Sequence, residues 1–128
     1  MRFRHTIITD AAPRPVGPYA QGVVVGNTLF ISGQIGIEPS TNRLVGGGIV
    51  PEAEQVLENL LAIVHAAGFG RADVVKTTVY LTDLADFASV NGVYGRYFTE
   101  SPPARATVQV AALPGGARVE IDAIAVRG

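Results

Sequence analysis

The spacing of apolar and polar positions changes several times along this chain, and each change marks an element. Residues 3–9 alternate weakly and predict a first strand. Residues 21–25 and 28–32 are short β-branched and apolar runs, and Gly26-Asn27 between them predicts a tight hairpin, since both residues tolerate positive φ. Residues 35–37 extend the second run before Glu38-Pro39-Ser40-Thr41-Asn42 turns the chain, and Gly46-Gly47-Gly48 reads as a flexible connection. From 51 to 67 the period becomes helical, with Ala53, Val56, Leu57, Leu60, Leu61 and Val64 on one face. Glu52 and Glu54 then lie at the positive end of the helix dipole, and Gly68 supplies the stop. Residues 74–82 predict a long strand with Val75, Thr77, Val79 and Leu81 on one face. Asp83 is placed to cap a second helix reaching about Phe98, buried through Phe87, Val90, Tyr94 and Phe98. Gly92 and Gly95 each weaken that helix by about 1 kcal/mol relative to Ala, which predicts close packing around them. Residues 105–113 and 118–126 predict a closing hairpin over Pro114-Gly115-Gly116-Ala117.

The order is therefore β-β-β-α-β-α-β-β over a single domain, residues 1–128: an α+β fold with a mixed β-sheet and two helices packed on one face. The opposite sheet face is left to be covered. Composition sharpens that expectation, because 48% of residues are hydrophobic and only 16% charged, against a charged share of about 25% in typical domains. A domain this small has too much surface to hide so much apolar area, so copies of the chain are expected to cover part of it.

Charge and residue types exclude several chemistries. Formal net charge is −1 with no run of Lys or Arg, so phosphate-driven nucleic-acid binding has little support. The chain has no cysteine, which removes disulfides, thiol catalysis and cysteine-based zinc sites. His5 and His65 lie far apart without a paired ligand pattern, so no metal is expected. Residues 1–10 carry charges but no apolar leader core, and no apolar run approaches membrane-spanning length, so the expectation is a cytoplasmic protein without a membrane partner.

The chemistry-bearing residues cluster near the C-terminus. Pro102-Pro103-Ala104-Arg105-Ala106-Thr107-Val108-Gln109-Val110 puts an arginine into an apolar strand that has no structural need of it. A guanidinium is shaped to hold a planar carboxylate by two parallel hydrogen bonds. Glu120, in Val119-Glu120-Ile121-Asp122, is suited to orient or deprotonate a water. If the closing hairpin pairs Leu113 with Arg118, the two residues stand six steps apart, roughly 20 Å at about 3.4 Å per residue. They share a site only if they come from different subunits. The plainer reading is a surface arginine capping a strand and a glutamate in a cross-strand ion pair.

Tyr19, after Gly17-Pro18, offers a fixed hydroxyl to a substrate or a lid to the core. Ser32-Gly33 ends a strand, where exposed N–H groups hold an anion or simply turn the chain. Asn91 sits on the apolar face of the second helix, where a structural hydrogen bond is the simpler role. His65 reads as helix surface near a C-terminus. No phosphate loop or nucleophile elbow is present.

Read together, Gly17-Pro18-Tyr19-Ala20-Gln21-Gly22, Ile31-Ser32-Gly33-Gln34-Ile35, Val75-Lys76-Thr77-Thr78-Val79-Tyr80-Leu81, Asp86-Phe87-Ala88-Ser89-Val90-Asn91, Pro103-Ala104-Arg105-Ala106-Thr107-Val108 and the segment from Val119 to Val126 resemble the Rid family, the YjgF-type reactive intermediate deaminases. The likeness runs in order along nearly the whole chain. It implies a chorismate-mutase-like homotrimer with sites in the clefts between subunits. It implies hydrolysis of 2-imino acids, released by pyridoxal-phosphate enzymes, to 2-oxo acids and ammonia without metal or cofactor. By position, Arg105 would grip the substrate carboxylate and Glu120 would hold the attacking water. Tyr19, Ser32, Gly33 and Asn91 would line or support the pocket, with Ala106 and Thr107 as substrate-binding neighbours of the arginine. Two departures stand out: Thr107 occupies a position where many deaminase members carry cysteine, and the segment Thr99-Glu100-Ser101-Pro102 is shorter than in the best-known members. Two other functions stay open beside the small imino acid: a larger, aminomuconate-like catabolic enamine, or non-catalytic, chaperone-like binding of small carboxylates by a trimer. Ribonuclease activity, also ascribed to family members, finds neither a basic groove nor a histidine pair here.

Overall fold

The structure, a computed structural model, describes residues 3–128; residues 1 and 2, part of the N-terminal leader reading, lie outside them. Strand β1 (Arg4–Ile7) is followed by β2 (Gly22–Val25) and β3 (Thr28–Ile35), then by a small ribbon of β4 (Ile37–Glu38) and β5 (Arg43–Leu44). Helix α1 (Ile49–Ala66), β6 (Val74–Leu81), α2 (Phe87–Tyr97), β7 (Ala104–Gln109) and β8 (Val119–Val126) complete the chain. Gly26 adopts φ 61° in the β2–β3 turn, as its sequence predicts. The triglycine is built into the helix start: Gly48 is the N-cap of α1, with φ 101°.

The six-stranded sheet runs β1-β2-β3-β8-β6-β7. The expected hairpin of the last two strands does not form, because β6 lies between them, parallel to β7 and antiparallel to β8. Local hydrogen bonds explain the route. Val110 N–H still bonds the Leu81 carbonyl at 2.8 Å, so β7 follows β6 to its end. Past the Pro114–Gly116 turn, Thr82 N–H bonds the Arg118 carbonyl at 3.1 Å, and the chain returns on the other flank of β6. Glu52, fully buried on α1, fixes the new strand by accepting from the Arg118 and Val119 amides at 2.6 and 3.3 Å. Burial also sorts the two strands. Val119, Ile121, Ala123 and Ala125 alternate cleanly into the core, whereas β7 carries Arg, Thr and Gln on its inward side and suits an edge.

One sheet face packs on the helices. Leu29, Ile31, Val79, Leu81, Ile121 and Val119 meet Val56, Leu57, Leu60 and Val64 of α1, with Val90, Val93 and Tyr94 of α2. Phe87 departs from the expectation and is exposed. Val75 also leaves the buried row, because an irregularity between Val74 and Lys76 puts Val74 in its place. A Cβ at Gly92 or Gly95 would meet nothing within 4 Å, so these glycines are not tightly packed within the chain. On the far sheet face Val25, Phe30, Val75, Val108 and Val126 remain exposed. No helix among the described residues is long and apolar enough to cross a membrane.

Candidate functional site

A one-residue irregularity in β3 organises the first group of residues. Ile31 pairs with Ala123 but Gln34 pairs with Ile121, so Ser32 and Gly33 share the space opposite Asp122. Gly33 is therefore inside the strand rather than at its end, and its backbone lies against the Glu120 carboxylate. A Cβ there would collide with that side chain, whose Cδ would be 2.8 Å away. Tyr19, Gly33 and Glu120 line one cleft of about 100 Å³, closed further by Arg14, Gln34 and Pro114. Ser32 is adjacent, but its hydroxyl is spent on the Ala20 carbonyl at 2.5 Å. Glu120 is half-buried, and its proton is held more tightly than usual, first by burial and then by the charge of Asp122. Asp122 in turn accepts from the Tyr80 hydroxyl at 3.0 Å.

The second group surrounds Arg105. Its guanidinium lies over two rings of α2, 4.8 Å from the centre of Tyr94 and 5.7 Å from that of Phe87. Asn91 falls between these two residues on the same helical stripe, half-buried. Among the described residues no carboxylate comes within 4.0 Å of Arg105. Thr107, two residues on and on the same face, has a buried hydroxyl without a hydrogen-bond partner. Ala106 points the other way and is exposed. The Val110–Leu81 bond sets the alternation of β7, so Ala106 and Val108 direct their amides and carbonyls at β6. Those of Arg105 and Thr107 are left at the free sheet edge.

The two groups do not meet within one chain. Arg105 and Ala123 both pair with Thr77, so they share the helix-bearing face, whereas Glu120 is an odd three steps from Ala123 and faces the other side. Three steps along and two strands across separate their Cα atoms by about 14 Å. The hairpin register that suggested about 20 Å is overturned, yet the separation remains for a firmer reason. Sequence reasoning also missed Tyr94 and Phe87 as the seat of the arginine, and Asp122 with Tyr80 as neighbours of the glutamate. Aromatic residues seven apart on one helix face were the available signal for the seat; Tyr80 needed the observed register.

These features define a class: an α+β domain with a guanidinium at one sheet edge that has no carboxylate partner among the described residues, and a half-buried carboxylate on the opposite face. The chain belongs to the family described as Endoribonuclease L-PSP, whose model matches residues 9–127. A 2-iminobutanoate/2-iminopropanoate deaminase of Mus musculus is 56% identical over 126 residues, which is 98% of this chain and 93% of the relative. Protein DfrA of Myxococcus xanthus is 57% identical over 125 residues, 96% and 95% of the two chains. Among solved structures, RidA of an Antarctic Psychrobacter is similar with TM-score 0.93 at 54% identity, covering 96% of this chain and 99% of that one. TdcF of E. coli, solved with bound serine, gives 0.92 at 46%, covering 97% and 99%.

Proposed function

We propose that this protein is an enzyme that hydrolyses small 2-imino acids to 2-oxo acids and ammonia, in clefts that adjoining subunits of a homotrimer complete together. The observation that carries the reading is the Arg105 guanidinium, seated on two rings, without a carboxylate partner among the described residues and next to free backbone groups. That is a receptor for a planar carboxylate. The high identity to a deaminase of 2-iminobutanoate and 2-iminopropanoate supplies the substrate class, and the amino acid bound to TdcF is a carboxylate of the same size.

An imine carbon is already electrophilic, so the reaction needs positioning more than a strong nucleophile. Arg105 holds the carboxylate. Glu120 of the adjoining subunit takes a proton from water as its oxygen bonds the imine carbon and returns it to nitrogen, giving a carbinolamine. It then moves the carbinolamine's hydroxyl proton to nitrogen as the C–N bond breaks and the C=O forms. Water is consumed and ammonia leaves, with no net oxidation and no cofactor. The exposed apolar sheet face supports the assembly. On this reading the protein works in the cytoplasm, beside the pyridoxal-phosphate enzymes that release such imines.

The test generates imines in situ with an amino-acid oxidase and follows their loss with and without the protein, across several amino acids. Faster 2-oxo acid formation is expected, most of all for short side chains. Carboxylate binding without turnover would replace the enzyme by a binding module. An RNA-cleavage arm addresses the activity in the family's description; exposed His5 and His65 stand on β1 and at the end of α1, outside the Glu120 cleft.

A further inference from the structure

The segment that carries Tyr19 to the Glu120 cleft is an irregular loop, residues 10–18, with prolines at 13, 15 and 18. Its own hydrogen bonds are all short-range: Ala11 N–H to Thr9 Oγ1 at 3.1 Å, Val16 N–H to the Tyr19 hydroxyl at 3.4 Å and Tyr19 N–H to the Gly17 carbonyl at 2.9 Å. The Arg14–Asp10 ion pair is solvent-exposed, and such pairs contribute little. None of these ties the loop to the sheet. Ala12 packs into the core, and one buried side chain supplies the hydrogen bonds. Gln21, 2% exposed, accepts from the Thr9 amide at 2.8 Å and donates to the carbonyls of Thr9, Ala12 and Pro13 at 2.9, 3.3 and 2.9 Å. Ser32 adds the second tie, its hydroxyl bonding the Ala20 carbonyl and its amide the Gln21 carbonyl at 3.0 Å.

We infer that Gln21, with the hydroxyl of Ser32, is a positioning residue of the site: its carboxamide sets the pose of residues 9–20 and so places Tyr19 over the Glu120 cleft. Every donor and acceptor of that carboxamide goes to residues 9–13, where the chain leaves β1 and enters the loop, and none to the strands it sits among. A glutamine needed only for folding would serve its own sheet. Loss of the carboxamide leaves the loop with several poses, of which one is competent. Substrate must then select that pose, so apparent affinity falls by the competent fraction while the saturated rate is retained.

The inference rests on the proposed imine hydrolysis, and the experiment separates the two. Gln21→Met keeps the volume and removes all four bonds; Ser32→Ala removes the lesser tie and serves where Gln21→Met does not fold. Amide exchange of the full chain and imine kinetics are measured on both. The expected result is lost protection confined to residues 9–20, with sheet amides such as those of Val79 and Ile121 unchanged. KM should rise about tenfold, as a competent fraction of about one tenth requires, with kcat within about twofold. A loop that keeps its protection in both variants overturns the inference. So does protection lost evenly through the sheet, or a freed loop with unchanged KM. If the wild-type protein hydrolyses no imine, the proposed function fails instead, and the exchange data alone decide whether Gln21 holds the loop.

Discussion

The Arg105 guanidinium carbon stands 4.8 Å from the centre of the Tyr94 ring, and the Tyr94 hydroxyl is locked to Thr77 Oγ1 at 2.7 Å. A buried hydrogen bond thus fixes the ring, and the ring fixes the arginine, before any ligand arrives. Burial raises the Tyr94 pKa, while the Thr77 bond and the Arg105 charge oppose that rise, so the phenol stays protonated at neutral pH. Pre-orientation of this kind lets a guanidinium act through both of its parallel donors.

Arg105→Lys is therefore expected to keep the fold and lose most imine hydrolysis. Lysine retains charge but neither stacks as a plane nor presents the two-pronged donor set. A misplacement of about 1 Å can cost roughly a hundredfold, and kcat/KM should fall by about that factor. Steady-state kinetics with mass and circular dichroism as controls check it; near-wild-type turnover would remove Arg105 from carboxylate recognition.

Gly33→Ala tests the other half. The added methyl has no room beside the Glu120 carboxylate, so that side chain must swing away. The expected outcome is a fall in kcat of the same order as in Glu120→Gln, with the melting temperature little changed. Unaltered kcat would mean that the position of the carboxylate is immaterial.

Much of this arrangement was legible in the chain because it follows from local pattern. Helix α1, the β2–β3 hairpin and the alternation of β8 are written in residues a few positions apart. The partner of β8 was not. Two apolar strands joined by Pro-Gly-Gly predict a hairpin on local grounds, whereas the true neighbour, β6, is chosen by a buried Glu52 that clamps the start of β8 from a distant helix. The same limit applies to the site. Arg105 stood out as a residue its strand does not need and Glu120 as a carboxylate suited to hold water, but their opposite faces depend on a register no short window contains. Gly33 looked like a strand end because the irregularity that packs it on Glu120 is a property of the β3–β8 pair.

On the proposed mechanism Glu120 also links activity to stability through pH. Its folded pKa is raised by burial and by Asp122, so the folded state binds the proton more tightly than the unfolded chain. Stability from this group is thus present below the unfolded pKa and lost as pH rises through the folded one. At neutral pH its ionisation costs stability. Glu120→Gln should therefore melt higher than wild type at pH 7 while being inactive, and the gain should vanish in acid. The active carboxylate form predicts an acid limb in the rate profile, above the ordinary glutamate range. Asp122→Asn removes the neighbouring like charge and should move that limb to lower pH. Thermal melts across pH and the pH–rate profile measure both; a limb that shifts upward in Asp122→Asn contradicts the assignment.

The strongest test concerns where the two halves of the site come from. Within one chain Arg105 and Glu120 face opposite sides of the sheet, with Cα atoms about 14 Å apart, and no rotamer change carries a side chain through the sheet. A small imino acid and one water bridge them only between chains. Arg105→Ala and Glu120→Ala should each be inactive alone. Unfolded together and refolded, they form mixed assemblies in which some clefts join a native Arg105 from one chain to a native Glu120 from another. In random mixed trimers with three clefts, about a quarter of the clefts carry both native residues, and activity should return to about that share of wild type. Each mutant refolded alone is the control, and native mass spectrometry verifies the mixing and the trimer. Sedimentation equilibrium that gives a monomer at micromolar concentration would end the shared-site reading before kinetics began. No recovery in assemblies shown to be mixed would mean that one of the two residues has no part in catalysis.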